Sequence, residues 1–261
     1  MTANTPQLPR PVVLITGAAV RIGRCIALTM AQRGWDVAVH FNQSARPAGE
    51  LVAEIQALGG RAMAVQCDLA SQDQVRKVVP QVAAGLGSLQ CIVNNASIFE
   101  ADTAADFSCA MLDRHMHVNL AAPVLLAQAL AELTPHGQQA SVINILDQKL
   151  FNLNPDFLSY TLSKAALQCA TTTLAQALAP KVRVVGIAPG TTLASTYQDQ
   201  HNFEQSHQLA ALGRSSAPQD IADAVAYLAG AHAVTGTILA VDGGQHLIPL
   251  TRDVMHVVAP K

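Results

Sequence analysis

The sequence predicts an α/β fold, a single doubly wound domain with a parallel sheet and helices on both faces. Three observations predict it. Short apolar runs alternate with longer amphipathic stretches along the whole chain, the order expected of repeated βαβ units. The runs are almost wholly apolar, as in Val12, Val13, Leu14 and Ile15, which is the pattern of strands covered by helices on both sides. Finally, 50% of the 261 residues are hydrophobic and 13% are charged. Ordinary globular chains are roughly a quarter charged, so this balance suits a large buried core.

In chain order, strands are predicted at 11–16, 36–41, 61–67, 90–94, 141–146, 182–187 and 237–241. Helices are predicted at 22–33, 48–58, 72–86, 107–133, 156–179 and 218–229, with Gly59 and Gly60 stopping the second. Pro80 should kink or shorten the third, because proline removes a helix hydrogen bond. The segment 190–213 is polar, rich in Thr, Gln and His, and follows a strand end, so it reads as a lid over a substrate rather than a plain surface loop. The tail, 245–261, is placed either at a subunit interface or beside a neighbour's active site; the sequence leaves both open.

Bulk properties exclude several functions. A net charge of −2 gives no electrostatic footprint for nucleic acid or an anionic membrane. The apolar stretches are broken by Gly, Pro or polar residues, so none is expected to reach the roughly 20 residues that span a bilayer. The first eleven residues carry no cleavable apolar region and read as a lead-in to the first strand. Five scattered cysteines without a CxxC pair suit a reducing, cytoplasmic setting. His115 and His117, two apart on a helix, face different sides, so no metal site is expected.

In a parallel sheet, ligands bind beyond the carboxyl ends of the strands. The first strand is followed by Thr16, Gly17, Ala18, Ala19, Val20, Arg21, Ile22 and Gly23. Gly17 can take a tight turn, Gly23 lets the helix approach the strand, and the helix N-terminus offers N–H groups to a pyrophosphate. Arg21 stands where a middle glycine is usual; its cation could serve a cofactor phosphate or an anionic or π-rich substrate edge, or simply sit in solvent. The second strand ends in His40, Phe41, Asn42, Gln43 and Ser44 with Arg46 near. An acid there would hold a ribose 2′-hydroxyl and repel a 2′-phosphate, so its absence points to NADPH rather than NADH. Asp68 could accept from an adenine amino group or serve as a helix N-cap. Tyr160 and Lys164 lie four apart on one helix face, where a cation near a phenol lowers its pKa and readies a proton for an atom receiving hydride.

Together, the 16–23 turn, Asn94–Asn95–Ala96, Asn119, Tyr160 with Lys164, Pro189–Gly190 and Asp242–Gly243–Gly244 resemble the ordered landmarks of the short-chain dehydrogenase/reductase superfamily. The resemblance spans almost the whole chain. It implies a Rossmann-like domain with a seven-stranded parallel sheet, commonly a homotetramer. It also implies Tyr160 as proton donor, Lys164 as its partner and a holder of the nicotinamide ribose, and Asn119 as the anchor of a relay water. Gly17, Arg21, Ile22, Gly23, His40, Asn42, Gln43, Ser44, Asp68, Leu69, Asn95, Ala96, Ser97, Lys164, Pro189 and Gly190 would line the cofactor.

Two departures narrow the resemblance. Where the superfamily keeps a catalytic serine, thirteen residues before the tyrosine, this chain has Asp147; and Asn95–Ala96 is followed by Ser97, Ile98 and Phe99. This combination is similar to the pteridine reductases. It implies that Arg21 and Ser97 contact cofactor phosphate and pterin, that Phe99 stacks the pterin ring, and that Asp147 with Tyr160 delivers the proton. A carboxylate would oppose a developing alkoxide but suits protonation of a basic nitrogen, and it should hold the phenol protonated. The plainer roles are a strand-end turn for Asp147 and core packing for Phe99. The expected activity is NADPH-dependent reduction of a dihydropterin-like C=N bond. The alternatives are a 3-oxoacyl or other ketone reductase, and a non-catalytic NADPH-binding protein.

Overall fold

A computed structural model describes residues 10–258, so the lead-in over residues 1–9 and the last residues of the tail lie outside it. Seven strands form one sheet in the order β3-β2-β1-β4-β5-β6-β7: β1 (Val12–Ile15), β2 (Asp36–Phe41), β3 (Ala62–Gln66), β4 (Leu89–Asn94), β5 (Ala140–Ile145), β6 (Val182–Pro189) and β7 (Ile238–Val241). Every neighbouring pair is parallel. The chain winds outward from β1 through β2 to β3, then crosses back to β4 on the other side of β1. That reversal leaves a crevice beyond the ends of β1 and β4.

Alternate side chains of one strand feed two separate cores, because a strand repeats every two residues. Val13 and Ile15 pack with Ile26, Met30, Leu51, Ile55, Ile221 and Val225, the inward faces of α1 (Arg21–Gln32), α2 (Ala45–Ala57) and α8 (Pro218–Gly230). Val12 and Leu14 pack with Val75, Val78, Val82, Leu126 and Leu130 on the other face, from α3 (Gln72–Leu86) and α5 (Ala122–Leu133). The remaining helices are α4 (Cys109–Met116), α6 (Leu158–Leu178), α7 (Gln200–Gln208) and α9 (Val254–Val257).

The predicted elements are all found, with shifted ends, and four details correct the expectation. α3 runs unbroken through Pro80 to Leu86. Five buried apolar residues, Val75, Val78, Val79, Val82 and Leu86, outweigh a proline cost of about 3 kcal/mol. The predicted 107–133 helix is two helices joined by a π-turn, His117–Ala121. The stretch 109–133 is, by length and composition, apolar enough to cross a membrane, which the sequence reading denied; here α5 packs against α3, α6 and the sheet. The polar 190–213 segment also contains a helix of its own, α7.

Candidate active site

The turn between β1 and α1 is held by the neighbouring strand ends. The Oγ1 of Thr16 accepts from the backbone N–H groups of Asn95 and Ala96, both at 3.0 Å. The Asn95 amide donates to Thr16 O at 2.9 Å. Gly17 sits at φ +62°, and a Cβ on Gly23 would lie 2.2 Å from Gly17 O, so only glycine allows the helix this close. Arg21 also holds a left-handed φ of +54°, a strained conformation for a residue with a side chain. Its guanidinium donates to Ala194 O at 2.9 Å, joining the turn to the 190–213 segment.

Neither α1 nor α2 has a side-chain N-cap or an acid in its first turn. Their free N–H groups and positive dipole ends therefore remain available to anions. Ser44 stands at the N-cap of α2 beside exposed Asn42 and Gln43, so this donor set fits a dinucleotide phosphate. Arg46 is almost fully exposed and lies 3.7 Å from Glu50. Asp68 does not cap the next helix, which Ser71 does positionally; its Oδ1 takes the Ala70 N–H at 3.0 Å and closes a turn, beside buried Leu69.

His40 corrects the expectation that it reaches a phosphate. It is 2% exposed; its Nδ1 accepts from the Gly17 N–H at 3.0 Å, and its Nε2 bonds Cys67 O at 3.1 Å. Burial pushes the imidazole down to about 4 against the opposing bond to Cys67, so the ring is neutral at pH 7. With Gly17 donating to Nδ1, the proton sits on Nε2. His40 is thus a brace beneath the glycine turn.

At the other side of the crevice, Asp147 follows β5 and Tyr160 lies in the first turn of α6. The Tyr160 hydroxyl donates to Asp147 Oδ2 at 2.7 Å, while Asp147 Oδ1 accepts the Lys149 N–H at 2.8 Å. One carboxylate oxygen thus closes the strand-end turn, and the other meets the Tyr160 hydroxyl. Burial raises the Asp147 pKa above the ordinary carboxylate value, helped by the nearby Asp253 charge and opposed by its hydrogen bonds. Burial and then Asp147 hold the Tyr160 phenol protonated, well above its ordinary value.

Lys164 lies one helix turn on, its Nζ 5.7 Å from the centre of the Tyr160 ring. Its Nζ donates to Ile145 O at 2.8 Å, and burial pushes its own pKa down to about 8. Asn119 lies in the π-turn. Its Oδ1 accepts the Ile98 N–H at 2.8 Å, and its Nδ2 donates to Ile98 O at 3.0 Å and to Ser163 Oγ at 2.9 Å. Both amide protons are used within the protein, so the side chain ties the post-β4 loop to α6.

A cavity of about 290 Å³ opens between these two groups, lined by Arg21, Ile22, Asn95, Ser97, Phe99, Asp147, Tyr160, Lys164, Pro189 and Gly190 among others. Phe99 packs as a core residue does, its ring stacked on Phe157 at 4.3 Å and edge-on to Tyr160 at 4.8 Å, and it also forms part of the cavity wall. The sequence reading missed Lys149, Gln198, Asp253 and Met255 in that wall, and Phe157 and Tyr197 behind Phe99. Lys149, two residues after Asp147, carried the one local signal. The others arrive from segments up to about a hundred residues away, with no periodicity to announce them. Among the described residues, no group of three or more His, Cys, Asp or Glu is placed to hold a metal.

A Rossmann-like sheet carrying a Tyr–Lys pair and a glycine turn beyond its strand ends defines a class of oxidoreductase. The short chain dehydrogenase family model matches residues 11–205, and the chain belongs to that family. Among solved structures it is similar to FolM alternative dihydrofolate reductase 1 from Brucella canis, crystallised with NADP. The two share 41% identity and a TM-score of 0.86, over 91% of this chain and 95% of that one. It is 33% identical to a dihydromonapterin reductase of Klebsiella pneumoniae, over 92% of this chain and 98% of the relative. It is also 32% identical to a 3-oxoacyl-[acyl-carrier-protein] reductase of Synechocystis, over 94% and 98%.

Proposed function

We propose that this enzyme uses NADPH to reduce the C=N bond of a dihydropterin-like substrate. The observation that carries the reading is the 2.7 Å bond between the Tyr160 hydroxyl and Asp147. In this arrangement the phenol keeps its proton, as an acid must, and a carboxyl of raised pKa stands behind it. NADPH, when bound, supplies the hydride. Gly17, Ile22, Asn95, Ala96, Pro189 and Gly190 shape its cradle, and Asn42, Gln43 and Ser44 offer donors to its 2′-phosphate. Tyr160 gives its proton to the substrate nitrogen as the adjacent carbon takes the hydride; the Asp147 carboxyl, whose pKa burial raises, then passes a proton taken up from solvent back to the phenolate. Phe99 presents an aromatic face for a flat ring, with Arg21 and Ser97 at its edge.

The 3-oxoacyl reductase reading rests on relatives of that name, but Asp147 disfavours it, since a carboxylate destabilises an alkoxide forming beside it. All seven strands belong to one sheet, with the site residues on it or on the helices and loops that follow its strands, which supports treating the chain as one domain. The half-buried apolar face of the π-turn, α5 and α6 (Leu120, Val124, Leu125, Ala166, Ala170) supports self-association, for which a homotetramer is the proposed form, and five free thiols suit a cytoplasmic setting. The deciding experiment is NADPH turnover against a panel of dihydropterins, 3-oxoacyl thioesters and simple ketones. Faster reduction of the thioesters than of every dihydropterin would reject the pterin reading.

A further inference from the structure

The outer wall of the cavity is made by the end of the chain, whose role the proposed reaction leaves open. Asp253, Val254 and Met255 line the cavity, and Met255 packs with Phe157 and Tyr160. The helix that carries two of them, α9, is four residues long, too short to hold itself in water.

Polar anchors fix the segment instead. The guanidinium of Arg252 clasps the Asp156 carboxylate, with Nε at 2.9 and 3.0 Å and Nη2 at 2.6 Å. The Asp253 N–H donates to the same carboxylate at 2.7 Å. Lys149, 3% exposed, donates to Asp156 O at 2.6 Å and reaches Asp253 Oδ2 at 3.2 Å. From the 190–213 segment, the Asn202 amide donates to Met255 O at 2.8 Å. Two-pronged arginine–carboxylate contacts fix orientation as well as distance.

We propose that Arg252, through Asp156, is a positioning residue that holds the chain's own C-terminal segment as the substrate wall. The wall keeps the pocket small, so that it accepts a compact flat ring and excludes an extended acyl thioester. The cavity is about 290 Å³, and its lining includes both cradle residues such as Pro189 and Gly190 and the wall residues Asp253, Val254 and Met255. The selectivity clause rests on the dihydropterin reading; the anchoring does not.

The test compares wild type with Arg252→Ala, Arg252→Lys and Met255→Ala. Arg252→Ala should raise KM for the dihydropterin about tenfold while kcat stays within about twofold, the pattern of lost substrate binding. The NADPH Kd should not move, and amide exchange over residues 249–258 should speed up. Arg252→Lys should restore part of the effect, and Met255→Ala should raise KM with the anchor intact. Activity on a 3-oxoacyl thioester relative to the dihydropterin should rise in Arg252→Ala.

Unchanged exchange in Arg252→Ala, at an unchanged melting temperature, would overturn the anchor. Faster exchange with unchanged KM in both Arg252→Ala and Met255→Ala would overturn the wall. If wild type reduces no dihydropterin, the substrate reading falls alone, and KM is then compared with the ketone that wild type does reduce.

Discussion

The two sides of the crevice are built differently. On the β1–β2 side the site is backbone: helix N-termini, a glycine turn, and side chains such as Asn95, Thr16 and His40 whose bonds go to that turn. Nearly all of it follows directly after a strand. On the β5–β6 side the site is side chains, Asp147, Tyr160, Lys149 and Phe99, brought together with residues 253–255 from the far end of the chain. A backbone cradle binds a constant ligand through many small contacts. A side-chain cavity concentrates chemistry in a few atoms, so single substitutions on that side should cost more turnover, and those on the first side should alter cofactor choice or stability.

The largest contrast is expected at Tyr160. Tyr160→Phe should lower kcat by about 10³-fold or more, within the range for loss of a positioned proton donor, and leave the NADPH Kd unchanged. A variant that turned over at the wild-type rate would remove Tyr160 from the donor role. Next comes Asp147. Asp147→Ser should lose about 10²-fold in dihydropterin reduction and retain any weak ketone activity, with Asp147→Asn as the control of equal shape. If both variants reduce dihydropterins normally, Asp147 is a turn residue and the ketone-reductase reading takes over.

On the cradle side the effect should appear as pH-dependent stability. His40 titrates at about 4 in the fold and ordinarily at about 6.5. As pH falls below 6.5 the unfolded chain takes up the proton first, so stability present above that value is lost down to about pH 4. Linkage puts the loss near 2 kcal/mol between pH 7 and 5. Thermal melts of wild type and His40→Gln at both pH values provide the check: the variant should start lower and lose less. Parallel losses would mean that another group governs this range. The smallest effect is cofactor choice, at least about tenfold in kcat/KM for NADPH over NADH, or roughly 1.4 kcal/mol. Steady-state kinetics with an NADH preference would contradict the donor set Asn42, Gln43 and Ser44.

The strands, the glycine turn and the Tyr160–Lys164 spacing are legible in the sequence because each depends on neighbours within one element. Val12 to Ile15 must be a covered strand whatever the rest does, and residues four apart on a helix share a face wherever that helix lies. Pro80 misled because its cost is local, whereas the five apolar contacts that overcome it belong to the sheet. His40 misled for the same reason: its position at a strand end suggests an exposed donor, and only the packed turn and β3 show both nitrogens occupied. Phe99 and Asp147 could each be given two roles from the sequence; the structure shows the packing of Phe99 on Phe157 and the turn bond from Asp147 to the Lys149 N–H, and it leaves both residues facing the cavity.

The sequence by itself determined the parallel sheet, the place of the cofactor turn, and the residue types that face each other across the crevice. The first two follow from periodicities of two and 3.6 and from the rule that ligands sit beyond strand ends; the third is what the resemblance to the superfamily implies. Only the tertiary structure decided that Asp147 divides its two oxygens between Tyr160 and the Lys149 N–H, that Lys164 bonds Ile145 O, and that Arg252 clasps Asp156 beside residues 253–255 in the cavity wall. Proton positions depend on burial and on charges a few ångströms away, and contacts between residues 96 positions apart depend on how the chain closes on itself. A linear pattern carries neither.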